Sequence, residues 1–245
     1  MIAFINYSAQ KMKCQIELAE DCIDSCKFRS ALAIYNQLVE LYGPHVYLLQ
    51  RIAFCYRMVK DLDQAIENYS KALEEGSDDC VVYWSRGACY YDRAFLNGTT
   101  EIERAENLQK ANENYRHAIE LEPTSQEAWL ALLEVDLWSF DFDNAISHYG
   151  QCKPLIITKE YCLIRSWYGC IALTLAGDRI ENEDEILLFD MTIRLKWFHW
   201  TVFSMDLFIA ELEKMNLDQK KIQLVKEIHE RLLMHFDDEP YNPNP

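Results

Sequence analysis

The sequence predicts an all-α fold built from repeated helical hairpins, and three observations predict it. Among 245 residues there are only 7 glycines and 6 prolines, and Pro240, Pro243 and Pro245 crowd the last six positions. Sandwiches, propellers and Gly-rich nucleotide-binding folds need more turn residues than that, so long helices joined by short turns remain. Half of the residues are hydrophobic and 26% are charged, which is the make-up of a chain that buries a core and not of a disordered one. The third observation is a segment that returns every 34 residues.

That segment reads Ala31, Tyr35, Leu38, then Ala65, Tyr69, Ala72, then Ala111, Tyr115, Ala118, and finally Ala145, Tyr149, Cys152. The steps are 34, 46 and 34 residues, so one 12-residue insertion interrupts an otherwise constant period. A small residue, a tyrosine four later and a small or apolar residue three after that share one helical face. The small residue lets two helices approach, and the tyrosine is expected to fill the space before the next hairpin. A partner helix precedes each copy: Leu49, Ile52, Ala53 and Tyr56 before the second, Tyr83, Gly87 and Tyr90 before the third, Trp129, Leu132 and Leu133 before the fourth.

These residues resemble the tetratricopeptide repeat, whose period, residue order and closing proline (here Pro123) they reproduce. The resemblance implies a right-handed α-solenoid of about four to five hairpins with a C-terminal helical cap. The repeats are placed at 12–45, 46–79, 80–125 with the insertion and 126–159, with a degenerate fifth from 160. The solenoid then occupies 1–177, capping helices 178–236 and a disordered tail 237–245. No hairpin buries its apolar face alone, so stacking supplies the core.

Local punctuation follows that register. Gly43-Pro44, Gly76-Ser77 and Pro123 fall at repeat ends, while Asp61 and Asp141 fall at turns inside hairpins, where they can cap the next helix. Gly87, in mid-helix, marks a close helix contact. The insertion places an Asn97-Gly98-Thr99-Thr100 turn ahead of a helix from Glu101 to Glu120, with Thr100 and Glu103 forming a capping box. This charged projection is either a tolerated extension or a partner contact. Beyond Gly177, Leu224, Ile228 and Leu232 at steps of four and the cluster Trp197-Phe198-His199-Trp200 read as a capping bundle and its core.

No motif assembles an active site: there is no phosphate loop, nucleophile elbow, H-E-x-x-H or paired C-x-x-C. We therefore expect no catalytic residues, no metal and no cofactor. Cys22 and Cys26, with Cys14, lack a fourth ligand for zinc. Cys55 and Cys89 share one repeat position, which is what packing predicts. The nine cysteines in apolar periodic segments and the want of an 18-residue apolar run place the chain in the cytoplasm, away from membranes. A net charge of −16 argues against a nucleic-acid partner.

Partner binding is what the fold leaves. In the family the first helix of each repeat lines the concave groove, and its register assigns to that groove Tyr47, Gln50, Arg51, Phe54 and Arg57; Trp84 and Tyr91; Glu134 and Trp138; and Arg165 and Tyr168. Aromatic and Arg side chains dominate binding hot spots, so the partner expected is a peptide or helix of another protein. Family members that grip the carboxyl-terminal tails of heat-shock chaperones use Lys, Asn and Arg at positions where this chain has Ile16, Glu20, Arg51, Val81 and Ser85, so that carboxylate clamp is absent. Arg51 and Arg57 can attract an acidic group or pair with neighbouring acids. The leading reading is a non-catalytic adaptor or scaffold. The alternative is an acidic secretion chaperone or immunity-type protein sequestering a basic effector, and an enzyme subunit ranks below both.

Overall fold

The computed structural model describes residues 2–178, 187–188, 190, 192–195 and 205–236. The aromatic cluster 197–200 and the tail 237–245 lie outside the described residues. The described helices are α1 (Ile2–Asp24), α2 (Phe28–Tyr42), α3 (Val46–Met58), α4 (Leu62–Glu74), α5 (Cys80–Ala94), α6 (Glu101–Leu121), α7 (Gln126–Trp138), α8 (Phe142–Cys152), α9 (Lys159–Ala176), α10 (Met205–Lys214) and α11 (Gln219–Leu233). The chain divides into two compact units, 1–122 and 123–245. The division expected near 177 falls inside the second of these, where α9 packs on α7 and α8 and also on α11.

Unit one is three antiparallel hairpins, α1/α2, α3/α4 and α5/α6, each helix packed on the next. The repeated segment forms the core. Ala31, Tyr35 and Leu38 are buried, as are Ala65, Tyr69 and Ala72, and Ala111, Tyr115 and Ala118; in unit two Ala145, Tyr149 and Cys152 complete the series. Burying each of these tyrosines four residues after an alanine lets a large ring fill a gap between closely spaced backbones.

Two glycines make that spacing possible. A Cβ on Gly87 of α5 would sit 2.7 Å from the Tyr115 ring of α6, and one on Gly169 of α9 would sit 2.5 Å from the Tyr149 ring of α8. Tyr149 thus reaches the following helix as the periodicity predicts, whereas Tyr115 lies over Gly87 of its own hairpin.

The turns repeat as well. In the α3/α4 and α7/α8 hairpins a residue in the left-handed region, Lys60 (φ 65°) or Phe140 (φ 55°), precedes an aspartate. Asp61 then accepts from the Gln64 N–H at 3.3 Å and Asp141 from the Asn144 N–H at 3.2 Å, each satisfying an orphan donor of the first helical turn. Thr100 and Glu103 form the reciprocal capping box, with Glu103 N–H donating to Thr100 Oγ1 (3.2 Å) and Thr100 N–H to Glu103 Oε2 (2.9 Å). The insertion is therefore helix: α6 runs 21 residues where α4 runs 13.

Unit two holds the α7/α8 hairpin, α9 and the α10/α11 pair. Helix α10 buries Met205, Phe208, Ile209 and Leu212, an i, i+3, i+4, i+7 stripe. Phe208 meets the Trp138 ring edge-on at 5.3 Å and stacks on Phe140 at 5.9 Å. From α11, His229 lies 5.6 Å from Trp167, and Lys221 Nζ donates to the Leu175 carbonyl at 2.7 Å, closing the C-terminus of α9.

Candidate partner-binding face

In unit one Tyr47, Gln50, Arg51, Phe54 and Arg57 of α3 and Trp84 of α5 form a two-part set, in which Tyr47 and Arg51 reach α1 and Arg57 reaches Trp84. Its first part is organised around Glu20 of α1. The Glu20 carboxylate accepts hydrogen bonds from Tyr47 Oη (2.8 Å), from Arg51 Nε (2.7 Å) and Nη2, and from Tyr35 Oη of α2. Burial by itself would raise the Glu20 pKa; the donations from Tyr35, Arg51 and Tyr47 outweigh it and hold the carboxyl below its ordinary value. Burial works against the Arg51 charge, and Glu20 more than restores it, so Arg51 is firmly cationic. Of the two roles open to Arg51 in the sequence, pairing is the one observed. Three helices are tied together by one ion pair and two tyrosine hydroxyls.

Beside this network, Phe54 stands under the Arg51 guanidinium (5.4 Å to the ring centroid) and edge-on to Phe28 of α2 at 6.2 Å. Gln50 Nε2 donates to Ser77 Oγ at 3.3 Å. Tyr47 is exposed, and Gln50, Phe54 and Trp84 are partly exposed, so these four present both ring surface and amide to solvent.

The second part joins α3 to α5. Arg57 lies over the Trp84 ring at 5.6 Å, and its Nε is 3.7 Å from Asp92 Oδ2. Lys60 Nζ is 3.9 Å from the same oxygen. Burial opposes the Arg57 charge, and Asp92 overcomes it, keeping the guanidinium protonated. Asp92 belongs to this group, and its position next to Tyr91 in the first helix of the third repeat is the signal for it in the sequence. Buried Arg57 Nε and Trp84 Nε1 have no hydrogen-bond partner among the described residues.

The other five predicted groove residues are placed differently. Tyr91 is buried against Phe95, ring centroids 5.0 Å apart. Glu134, Trp138, Arg165 and Tyr168 are buried inside unit two. For Trp138 the physical reason is that Phe208 of α10 packs on its ring, while α11 packs along α9, which carries Arg165 and Tyr168. Arg165 is turned inward, donating from Nη1 to the Lys153 carbonyl (3.0 Å) and from Nη2 to Ser166 Oγ (3.2 Å). Register in the first helices alone could not show that a later part of the chain covers them.

One concavity was not foreseen. Arg29, Leu32, Tyr56, Lys60, Asp63, Arg93 and Leu96 are among the residues lining a cleft of about 460 Å³ at the turn end of unit one. Arg93 closes one side through Asp63 (2.8 Å) and Asn107 (2.9 Å). It is assembled from three hairpins, so no single segment announces it.

No protein-family model and no curated protein matches the chain. Solved structures do. MamA superposes with a TM-score of 0.60 at 15% identity over 74% of this chain and 90% of its own. YrrB, a tetratricopeptide-repeat protein with an unusual peptide-binding site, gives 0.56 at 15% identity over 71% and 81%. Human IFIT1, as a dimer with PPP-AAAA, gives 0.58 at 16% identity over 88% of this chain and 50% of its own.

Proposed function

From its tetratricopeptide-repeat fold, we propose that this protein is a non-catalytic adaptor that binds a peptide or helical segment of a partner protein on the α1/α3/α5 face of unit one. The observation that carries the reading is the set of exposed Tyr47 and partly exposed Gln50, Phe54 and Trp84, backed by charges already paired within the protein. Open aromatic surface favours a partner with apolar side chains, and fixed backing side chains lower the ordering cost of binding. In unit two Trp138 is covered by Phe208 of α10, and Glu134, Arg165 and Tyr168 are buried, which favours unit one for the partner surface. A peptide site on YrrB supports the same use of the fold.

IFIT1 with PPP-AAAA shows that a likeness of this kind extends to a nucleic-acid binder. Two features favour protein here: the net charge is −16, and Arg51 and Arg57 are opposed by Glu20 and Asp92, so that only Lys60 is left in excess there for a phosphate. No described helix is long and apolar enough to cross a membrane.

The test is affinity capture with the full chain and with Gln50→Ala, Phe54→Ala and Trp84→Ala, against Ile157→Ala on exposed unit-two surface as control. Loss of the captured protein with the first three and retention with the fourth is expected; equal capture by all would overturn the reading. The acidity also motivates the second reading, sequestration of a basic effector. A partner released steeply between low and high salt favours it, and salt-insensitive capture favours the adaptor.

A further inference from the structure

Within the proposed face, Arg57, Asp92 and Trp84 form a group whose hydrogen-bonding capacity the described residues do not use. The Arg57 and Asp92 side chains are each 12% exposed, so both reach the surface. Their closest approach is 3.7 Å, beyond hydrogen-bond distance, and among the described residues neither side chain makes a hydrogen bond. Lys60, at 3.9 Å from Asp92, is itself 70% exposed and largely hydrated. Arg57 Nε and Trp84 Nε1 are buried donors lacking an acceptor, and a buried donor left unmade is costly enough that native sites seldom keep one without use. By contrast the neighbouring Arg51 donates to Glu20 from both Nε and Nη2, so the two ion pairs on one face differ in kind.

The chemistry that fits is set by sign. A carboxylate brought to Arg57 would also meet the hydrated Lys60 charge but would face Asp92 with no donor to offer it, and an ammonium brought to Asp92 would face Arg57 and Lys60. A neutral group carrying an acceptor and a donor side by side meets both: its oxygen accepts from the guanidinium while its N–H donates to the carboxylate. Resting on the reading that this face takes a peptide, we propose that Arg57 and Asp92, walled by the Trp84 ring, are a subsite for a carboxamide of the bound segment. Its source is an Asn or Gln side chain or a main-chain amide.

The experiment is selection of a phage-displayed random dodecapeptide library on the immobilised full-length protein and on its Asp92→Asn variant, with affinities of the selected peptides measured afterwards. With wild type, one peptide position is expected to be fixed as Asn or Gln, and its replacement by Asp or Glu to weaken binding at least about tenfold, equivalent to about 1.4 kcal/mol. With Asp92→Asn the preference should invert toward Asp or Glu, because the acceptor has gained a donor. If the source is the main chain, no position is fixed. An ester at one backbone position then weakens binding about tenfold, and Asp92→Asn abolishes that sensitivity.

Asp or Glu fixed by wild type, or the same ranking of peptides for both proteins, overturns the carboxamide subsite while leaving the peptide face intact. Peptides indifferent to Gln50→Ala and Trp84→Ala, or no enrichment at all, overturn the peptide face and the subsite with it. The peptide-side replacements on wild type read the specificity even if Asp92→Asn fails to fold.

Discussion

Replacing Gly87 by Ala tests the packing that defines the repeat. The added methyl would lie 2.7 and 2.9 Å from two carbons of the Tyr115 ring and 3.1 Å from Asn114 Cβ, where carbon atoms prefer about 3.5–4.0 Å. Tyr115 is only 3% exposed, and Asn114 Cβ is fixed to the α6 backbone. The ring or the helix must therefore shift by about an ångström, and overpacking of that kind costs about 1–3 kcal/mol. Alanine returns about 0.5–1 kcal/mol in helix propensity, leaving a net loss of about 1–2 kcal/mol. For a chain of this length that lowers Tm by about 2–8 °C. Gly150, in α8, is the matched control: nothing lies within 4 Å of a Cβ there, so Gly150→Ala keeps the propensity gain and raises Tm by about 1–4 °C. Thermal melts of the two variants beside wild type measure the opposite signs. Equal stability of Gly87→Ala and wild type, or a rise shared by both variants, would refute close α5/α6 contact as the reason for glycine.

Glu20 makes a pH prediction. Its native pKa is depressed, so it contributes stability that is fully present above the ordinary carboxylate value near 4.5 and is lost as pH falls through the lowered native value. Denaturation midpoints of Glu20→Gln should be flatter than those of wild type across that acid window; parallel curves would contradict the network. Thr100→Ala removes the capping box and should cost about 1 kcal/mol, read as faster hydrogen exchange in the first turn of α6, and unchanged exchange there would count against the cap. Burial pushes the Cys55 thiol up to about 11 and Cys89 to about 12, whereas Cys14 and Cys26 are exposed. Iodoacetamide should label the latter pair first in native protein, and early labelling of Cys55 or Cys89 would refute their place in the core.

The repeat was legible because its physics is local. Ala31, Tyr35 and Leu38 and their three later copies needed only helical periodicity to be placed on a buried face, and Asp61, Asp141 and Thr100 needed only the pattern of helix starts. Gly169, like Gly87, is a mid-helix glycine that faces a repeat tyrosine, in its case Tyr149 of the preceding helix. The groove positions expected from the repeat register keep solvent exposure only where nothing later in the chain packs on them. Tyr47, Gln50, Phe54 and Trp84 remain open, but Trp138 is claimed by Phe208, seventy residues on, and that contact has no periodic trace. Charge pairing was half readable: Arg51 meets Glu20 and Arg57 meets Asp92 because each pair lies on first helices one repeat apart, but spacing alone does not distinguish the hydrogen-bonded pair from the one 3.7 Å apart.

Photo-crosslinking from single positions in the native chain tests the partner face most directly. With p-benzoylphenylalanine in place of Gln50 on α3, ultraviolet light should join the chain covalently to its partner. The same group in place of exposed Leu224 on α11 should not. Adducts from position 224 and none from position 50 would contradict the assignment of partner binding to unit one.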